Sequence, residues 1–317
     1  MARVDVDVSN FTPPSRVANR SLGLNISLAE LAWGVITVGA PNALVALRNI
    51  LSGWAFTGHK VLALLATLES DGRRFVHPPN YRSLDQSEKV SLSYWLGMGM
   101  AKVVAGNVLN IAWLSHARFL ERQGTLQIVR PARSRMLPDL IGHDNTGAWH
   151  VVEAKARQSG ASPAVRQHWK AQAGVVRNVN GAAAVSRSYC LTLQDPVVRV
   201  ELVDPEPEAD SMDLEIDAEA LIQKYYLPYR ELFRDSEGRR DGEYVFAPFV
   251  HDIVTGEELS VGLPQWVVTS RFDRLPEEPV DPRLSEDGKT YFGPDHIAVH
   301  LAGMTQSEDS HSDDRHQ

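Results

Sequence analysis

Pro138-Asp139 and, after a short turn, Trp149-His-Val-Val-Glu-Ala-Lys155 are the stretches that decide the fold of this chain. In an extended strand, side chains two positions apart share a face and lie roughly 6.6 Å from each other. Glu153 and Lys155 are therefore expected to project together, while Ala154 faces away. One face of this strand is predicted to carry a charge pair.

The segment around these residues has the pattern of a β-hairpin. Residues 136–141 are apolar around the single acid Asp139, residues 142–147 are rich in turn formers, and residues 148–156 return to a strand pattern. The hairpin places Asp139 across the ladder from Glu153. Two carboxylates held close repel each other unless a cation compensates their charge, and Mg²⁺ or Mn²⁺ accepts oxygen ligands of this kind. The sequence therefore predicts a divalent-cation site.

These residues resemble the motif of the PD-(D/E)xK phosphodiesterases, the restriction-endonuclease-like superfamily. Pro138-Asp139 matches the first half of that motif, and Glu153-Ala154-Lys155 matches the second. The family core runs helix, three strands, helix, strand. A similar order is predicted here from a helix ending near Glu121, a strand at residues 126–130, the hairpin, a second helix and a strand at residues 184–193. The resemblance covers residues 97–203, about a third of the chain.

The resemblance implies an α/β fold with a restriction-endonuclease-like core, in which a mixed central sheet is flanked by helices. It implies a metal-dependent nuclease that hydrolyses phosphodiester bonds, in DNA rather than RNA. Asp139, Glu153 and the Ala154 carbonyl would bind Mg²⁺ or Mn²⁺, and Lys155 would orient or activate the attacking water. Gln172 is a further candidate catalytic residue, because some relatives place a helical glutamine near the metal.

Two observations show that the motif alone does not establish a nuclease function. An acid-any-Lys triplet occurs by chance about once in a chain of this composition, and Asp287-Gly288-Lys289 is a second match, interpreted as a solvated loop. Many family members also carry a glutamate in the first core helix, whereas residues 98–116 contain no acid. Glu121 is the nearest acid, and Asn107 or Asn110 are alternatives for that place. The alternative function is therefore a catalytically inactive nuclease-like fold that serves as a nucleic-acid-binding or protein-binding subunit of a larger assembly.

The helix after the hairpin and the charge around it favour a polyanionic partner. Ser162 is the expected N-cap, Trp169 and Ala173 belong to the expected buried stripe, and basic residues follow a second stripe. Residues 115–190 contain eleven Lys or Arg against four acids, in a chain of net charge −8. The residues expected to bind nucleic acid are Arg133, Arg135, Arg157, Arg166, Lys170 and Arg177. The alternative is that these charges form a solvated helix face.

The rest of the chain is divided by composition. Residues 1–92 are predicted to form an N-terminal helical region, in which Pro41 begins a second helix. Residues 93–203 are predicted to form the nuclease-like core. Residues 204–304 form a predicted accessory α+β region with strands that include residues 265–270. Residues 305–317 form a disordered acidic tail. The apolar stretch 31–47 is interrupted by Gly and Pro, so no membrane partner is expected.

No signal-peptide pattern is present at the N-terminus, and a single cysteine excludes an internal disulfide, so a cytoplasmic location is expected. The expected partner is nucleic acid, with a homodimer or a defence-type protein partner as further candidates.

Overall fold

The structure is a computed structural model that describes residues 1–38, 50–131, 136–234, 236, 238–251 and 258–303. In chain order, its helices are α1 (Leu28–Thr37), α2 (Ile50–Ala66), α3 (Pro79–Ser83), α4 (Gln86–Leu109), α5 (Ala117–Arg122), α6 (Pro163–Ala173), α7 (Ala218–Arg234) and α8 (Gln265–Thr269). Its strands are β1 (Ala2–Ser9), β2 (Arg20–Ile26), β3 (Glu69–Ser70), β4 (Phe75–Val76), β5 (Trp113–His116), β6 (Leu126–Arg130), β7 (Leu140–His143), β8 (Trp149–Arg157), β9 (Val176–Val179), β10 (Ala182–Ala183), β11 (Ser186–Leu193), β12 (Arg199–Val203), β13 (Met212–Ile216), β14 (Arg239–Asp241), β15 (Tyr244–His251), β16 (Glu258–Pro264), β17 (Arg283–Leu284), β18 (Thr290–Phe292) and β19 (Ala298–Ala302).

The central sheet has seven strands in the order β2-β1-β12-β11-β8-β7-β5. β8 pairs parallel with β11 and β1 pairs parallel with β12, while the other neighbours are antiparallel. β5, β7 and β8 form a meander, and the chain then passes through α6 before it enters the sheet again at β11. A four-stranded sheet (β10-β9-β13-β6) and a six-stranded sheet (β14-β15-β16-β19-β18-β17) complete a mixed α/β fold, which confirms the predicted class.

Helix α4 packs closely against one face of the central sheet. It begins at a capping box in which Asp85 accepts from the N–H groups of Ser87 and Glu88, and the Glu88 side chain accepts from the Asp85 N–H. A Cβ atom at Gly97 would lie 2.8 Å from the Cβ of Ala156 on β8. The glycine therefore permits an approach between helix and strand that any larger residue would prevent.

Helix α6 covers the opposite face of the sheet. It begins at the predicted N-cap, Ser162. Trp169 packs on Tyr189 of β11, with ring centroids 6.1 Å apart. Tyr189 is in parallel register with Glu153 of β8, and residues in register on neighbouring parallel strands point to the same side. The face that carries Glu153 is therefore the α6 side.

A buried ionic cluster fixes the C-terminal sheet to the helices. The Nζ of Lys102 on α4 lies 3.8 Å from Oδ2 of Asp295, and both side chains are fully buried. Asp295 also accepts from Trp33 Nε1 at 2.9 Å, from the Tyr225 hydroxyl at 2.5 Å and from the Ile297 N–H at 3.1 Å. Burial lowers the pKa of Lys102 to about 8, and the Asp295 charge opposes this shift. The cluster joins α1, α4, α7 and the segment before β19.

The N-terminal region is not wholly helical, contrary to the prediction for residues 1–92. β1 and β2 form an antiparallel hairpin at one edge of the central sheet. In β1, Val4, Val6 and Val8 are buried, while Asp5 is half-buried and Asp7 exposed. This period of two is typical of a strand with one buried face.

Three other predictions differ from the structure. The predicted helix that ends near Glu121 is divided into two, because Asn110 takes a left-handed conformation (φ 56°) that ends α4 at Leu109 and turns the chain into β5, and the separate helix α5 then ends at Arg122. β6 forms as predicted but pairs with β13 in the four-stranded sheet, which also crosses the expected boundary between residues 203 and 204. Residues 265–269 form α8 instead of a strand, since β16 ends at Pro264, the N-cap of that helix.

Some predictions lie outside the described residues. These are the helix start at Pro41 and the tail from residue 305. Among the helices of the described ranges, none combines the length and the apolar character that a membrane span requires.

Replacing Asp295 by Ala is expected to lower the free energy of unfolding by about 3–5 kcal/mol, because Lys102 then remains buried without its counter-charge. The double variant Lys102→Met/Asp295→Leu is expected to recover much of this loss, since it removes both charges. Urea unfolding at neutral pH measures both effects. Arg118→Ala is the control, because its pair with Glu121 is exposed and contributes at most about 1 kcal/mol. Equal stability of Asp295→Ala and the wild type would contradict the assignment.

Candidate active site

Asp139 and Glu153 are neighbours at the point where the ladder between β7 and β8 ends. The last ladder pair is Leu140 with Val152. Beyond it, the Asp139 N–H donates to Glu153 Oε2 at 3.0 Å, and the Ala154 N–H donates to Asp139 Oδ2 at 3.1 Å. Each carboxyl group thus accepts a hydrogen bond from the backbone of the opposite strand. The proximity of the two acids agrees with the hairpin predicted from the sequence.

Lys155 joins the two acids on the same face of β8. Its Nζ donates to Glu153 Oε1 at 2.5 Å. The Lys155 side chain is 19% exposed and that of Glu153 is 6% exposed. The Lys155 side chain is therefore partly accessible to solvent, while the Glu153 side chain is covered.

The two carboxyl groups lie close together in a buried position, which is electrostatically unfavourable when both are ionised. Burial raises the pKa of Asp139 to about 7, and the negative charge of Glu153 raises it further, while Lys155 acts in the opposite direction. At neutral pH Asp139 is therefore about half protonated. A strongly shifted carboxyl group beside a specific charge partner is typical of a functional site.

The donor set fits a divalent cation of the magnesium type. Asp139 and Glu153 offer carboxylate oxygens. Ala154 lies next to them, since its N–H donates to Asp139. In the described part of the chain, no three His, Cys, Asp or Glu side chains come together as a metal group. Mg²⁺ does not require three such ligands, since it usually binds through one or two carboxylates and keeps several waters or substrate phosphates.

Helix α4 carries a tyrosine, not an acid, whose ionisation responds to the carboxyl pair. Burial raises the pKa of Tyr94, and the charges of Asp139 and Glu153 raise it further. α4 itself packs on the face of the sheet opposite to Glu153, where a Cβ at Gly97, one turn after Tyr94, would be 3.3 Å from the carbonyl oxygen of Lys155. Tyr94 was not among the residues predicted from the sequence, and its position one turn before a glycine that allows close packing was the available signal.

The residues considered as replacements for the missing helical glutamate lie elsewhere. Asn107 donates to Glu30 Oε1 at 3.0 Å on the side of α1. Asn110 ends α4. Glu121 accepts from Arg118 at 3.0 Å on α5. None of the three makes a hydrogen bond to the carboxyl pair.

A buried histidine also adjoins the site and was not predicted. His116 precedes Ala117, whose N–H donates to the Asp139 carbonyl at 3.1 Å. Burial lowers the pKa of His116 to about 4, and the positive charge of Lys60 on α2 contributes to this shift. Among the described residues its Nε2 has no hydrogen-bond partner. His116 is therefore neutral at neutral pH.

The predicted nucleic-acid-binding residues have different surroundings. Arg166 forms a two-bond ion pair with Glu201, and Arg177 pairs with Asp213 at 3.0 Å, so both guanidinium charges are already balanced. Lys170 is half-buried and Arg157 is exposed near the end of β8. Arg133 and Arg135 lie outside the described residues. Gln172 is half-buried on α6 and does not hydrogen-bond to Asp139, Glu153 or Lys155 within the described ranges.

The second acid-any-Lys match is a solvated turn, as interpreted from the sequence. Asp287 accepts from the Ser285 hydroxyl at 2.6 Å and from the Lys289 N–H at 3.0 Å, and both bonds are exposed.

A groove of about 1140 Å³ lies between α7 and the segment after α8, and its walls include Arg230, Trp266 and His296. Its walls contain none of the three motif residues.

Replacing Asp139 by Asn is expected to stabilise the metal-free protein at pH 8. An unfolded Asp ionises near pH 3.8, whereas Asp139 in the fold ionises near 7. Ionisation therefore costs stability as the pH rises from about 4 to about 7, and the cost persists above that range. Asn keeps an acceptor for the Ala154 N–H without the charge. We expect a gain of about 1–2 kcal/mol at pH 8, less than the full linkage because Lys155 and solvent relax around the charge.

Urea unfolding in EDTA across this pH range measures the effect. The gain should shrink toward pH 4, and Asp287→Asn should show no such pH dependence. A gain of equal size at pH 4 and pH 8 would contradict the raised pKa of Asp139.

No protein-family model matches the chain, and neither a curated protein nor a solved structure is found to be similar to it.

Proposed function

We propose that the protein is a metal-dependent nuclease that hydrolyses phosphodiester bonds, with DNA as the preferred substrate over RNA. The observation that carries this proposal is the joint placement of Asp139, Glu153 and Lys155 at the open end of one hairpin. Two carboxylates and an ammonium beside each other match the needs of phosphodiester hydrolysis, in which negative charge develops on a phosphate.

The order of elements around the site supports the proposal. Helix α4, strands β5, β7 and β8, helix α6 and strand β11 occur in the order helix, three strands, helix, strand, with α5 and β6 inserted after β5 and with β9 and β10 inserted after α6. The strands are adjacent in the central sheet in the order β11-β8-β7-β5. This is the order that the resemblance to the restriction-endonuclease-like superfamily implies, with β5 in the place first expected for β6.

The chain's own residues have distinct roles in this proposal. Asp139, Glu153 and the Ala154 carbonyl would hold Mg²⁺ or Mn²⁺, which when bound polarises the phosphate and lowers the pKa of a water ligand. Lys155 donates to Glu153 and is partly exposed. In this role it would balance negative charge on the phosphate and orient the attacking water. Asp139 must be deprotonated to bind a cation, so its raised pKa makes cation binding weaker as the pH falls.

A second candidate function is that of a binding subunit without cleavage, in an assembly that includes a homodimer or a defence-type protein partner. It is favoured by the absence of any acid between residues 98 and 116, where many members of the resembled family carry a glutamate. Such a protein would bind nucleic acid without dependence on Asp139.

Ala variants of Asp139, Glu153 and Lys155 test the proposal. Each is expected to reduce cleavage of plasmid and single-stranded DNA in Mn²⁺ or Mg²⁺ by about 100-fold or more, because each removes a ligand or a charge that acts on the phosphate. Gel electrophoresis of reaction time courses gives the rates. Asp287→Ala and Lys289→Ala are matched controls from the second triplet and should cleave like the wild type.

Cleavage by the three site variants at the wild-type rate would show that the site lies elsewhere. If the wild type binds DNA but does not cleave it, and calorimetry detects no Mn²⁺ binding, the binding subunit is the better description.

A further inference from the structure

Strand β2 forms one edge of the central sheet, and among the described residues it pairs with β1 alone. Arg3 of β1 is in register with Asn25 and donates its N–H away from β2, to the carbonyl of Arg73. Bonded and non-bonded pairs alternate along an antiparallel ladder, so the N–H and C=O groups of Ser21, Gly23 and Asn25 point outward. In the described ranges, none of these groups bonds to another backbone segment.

The β2 edge lacks the features that protect the other edges of the three larger sheets. β10 and β17 have two residues each, and β14 consists of three exposed charged residues. β6 ends at Arg130. β5 has four residues, and its Trp113 donates to the Tyr226 hydroxyl of α7 at 3.3 Å. β2 has seven residues, of which only the first, Arg20, is charged. Proteins protect exposed edges by short length, charge or proline, because an unpaired edge accepts another strand.

The conformation of β2 is fixed without a partner. The Asn19 side chain accepts from the Phe11 N–H at 2.8 Å and donates to the Phe11 carbonyl at 2.9 Å, which closes the connection from β1. The Ser21 hydroxyl donates to Asp7 of β1. After β2, Ser27 is the N-cap of α1. A strand already held in the paired conformation loses little conformational entropy when it associates.

The residues of β2 are complementary to those of a second β2 strand. In antiparallel pairing about a two-fold axis at Gly23, Ser21 lies opposite Asn25 of the second copy, and Leu22 lies opposite Leu24. Ser21, Gly23 and Asn25 are exposed, and they exchange the outward N–H and C=O bonds. Leu22 and Leu24 are half-buried on the core side. Pairing therefore buries leucine against leucine and leaves the polar side chains on the solvent face.

The charges near the axis do not oppose this pairing. A Cβ atom at Gly23 would lie 2.6 Å from Nε of Arg3, so the Arg3 side chain covers the glycine. Arg3 and Arg74 each contact Asp5 at 3.0 Å, and Asp7 follows on the same face of β1. These two cations and two anions balance, so the two copies meet without an excess of like charge.

We propose that β2 pairs with the β2 strand of a second copy of this chain, antiparallel about a two-fold axis at Gly23, and so joins two central sheets into one. Both copies use the same edge, so the contact is isologous and closes at a dimer. Three strands separate β2 from β8 in the sheet order. The inference therefore does not depend on the proposed nuclease function, and either can fail without the other.

Sedimentation velocity across a concentration series tests the association. The wild type is expected to form a dimer that dissociates on dilution. Leu24→Lys places ammonium groups between the copies, and Asn25→Pro removes an outward N–H without removing a bond to β1. Each is expected to raise the dimer dissociation constant about 10-fold or more. Val129→Lys is the matched control, because Val129 is 58% exposed on the edge strand β6, and it should associate like the wild type.

The double variant Ser21→Cys/Asn25→Cys tests the register. Residues directly opposite each other in this pairing have the Cα separation that a disulfide requires, so mild oxidation should give a covalent dimer on a non-reducing gel. Ser21→Cys alone should give none, because the two copies of residue 21 lie about 14 Å apart along the strands. The native Cys190 is fully buried and stays out of the reaction.

A wild type that stays monomeric at every concentration would overturn the inference, and so would a dimer that both β2 variants retain. A dimer whose double-cysteine variant does not cross-link would place the contact in another register or on another surface. Thermal unfolding shows whether each variant is folded. Because Asn25 is exposed, Asn25→Pro still decides the question if Leu24→Lys unfolds.

Discussion

The close approach of α4 to β8 is the constraint on which the arrangement of the molecule depends. At Gly97 a Cβ atom would meet Ala156 at 2.8 Å and the Lys155 carbonyl at 3.3 Å, and at Gly99 it would meet Val35 of α1 at 2.5 Å. Glycine inside a helix costs about 0.5–1 kcal/mol relative to alanine, which the packing on both sides offsets. Because α4 is held between the sheet and α1 in this way, it covers the face of β8 that is opposite to Glu153 and Lys155.

The site could be predicted from the sequence because it is local, whereas the layout around it is not. Asp139, Glu153 and Lys155 belong to one hairpin, so the period of two and the turn composition suffice to bring them together. The placement of β6 in a second sheet depends on its pairing with β13, far along the chain. Asn110, whose left-handed turn ends α4 before β5, is of a residue type that often ends helices, a local signal that the sequence prediction did not use. The sequence around Arg166 and Arg177 gave no indication of their partners, because Glu201 and Asp213 lie far along the chain.

Two buried ionic groups in this protein have opposite electrostatic character. Around Asp295, one ammonium faces one carboxylate, and donors from Trp33, Tyr225 and the backbone complete its bonds. The group is closed and stabilises the packing of layers. At Asp139 and Glu153, two carboxyl groups share one ammonium, and at neutral pH a proton on Asp139 removes part of the excess charge. Such an arrangement lowers stability, and a cation can take the place of that proton.

The pairing of the basic side chains bears on how a polyanion would be held. Ion pairs balance the charges of Arg166 and Arg177, so the α6 side offers less positive potential than its sequence suggests. Beside the carboxyl pair, Lys155 is itself bonded to Glu153. If few phosphates are neutralised by side chains, the part of the binding free energy that falls with salt is small. A divalent cation bound by Asp139 and Glu153 would then supply most of the positive charge with which an acidic protein of net charge −8 could hold a phosphate at this site.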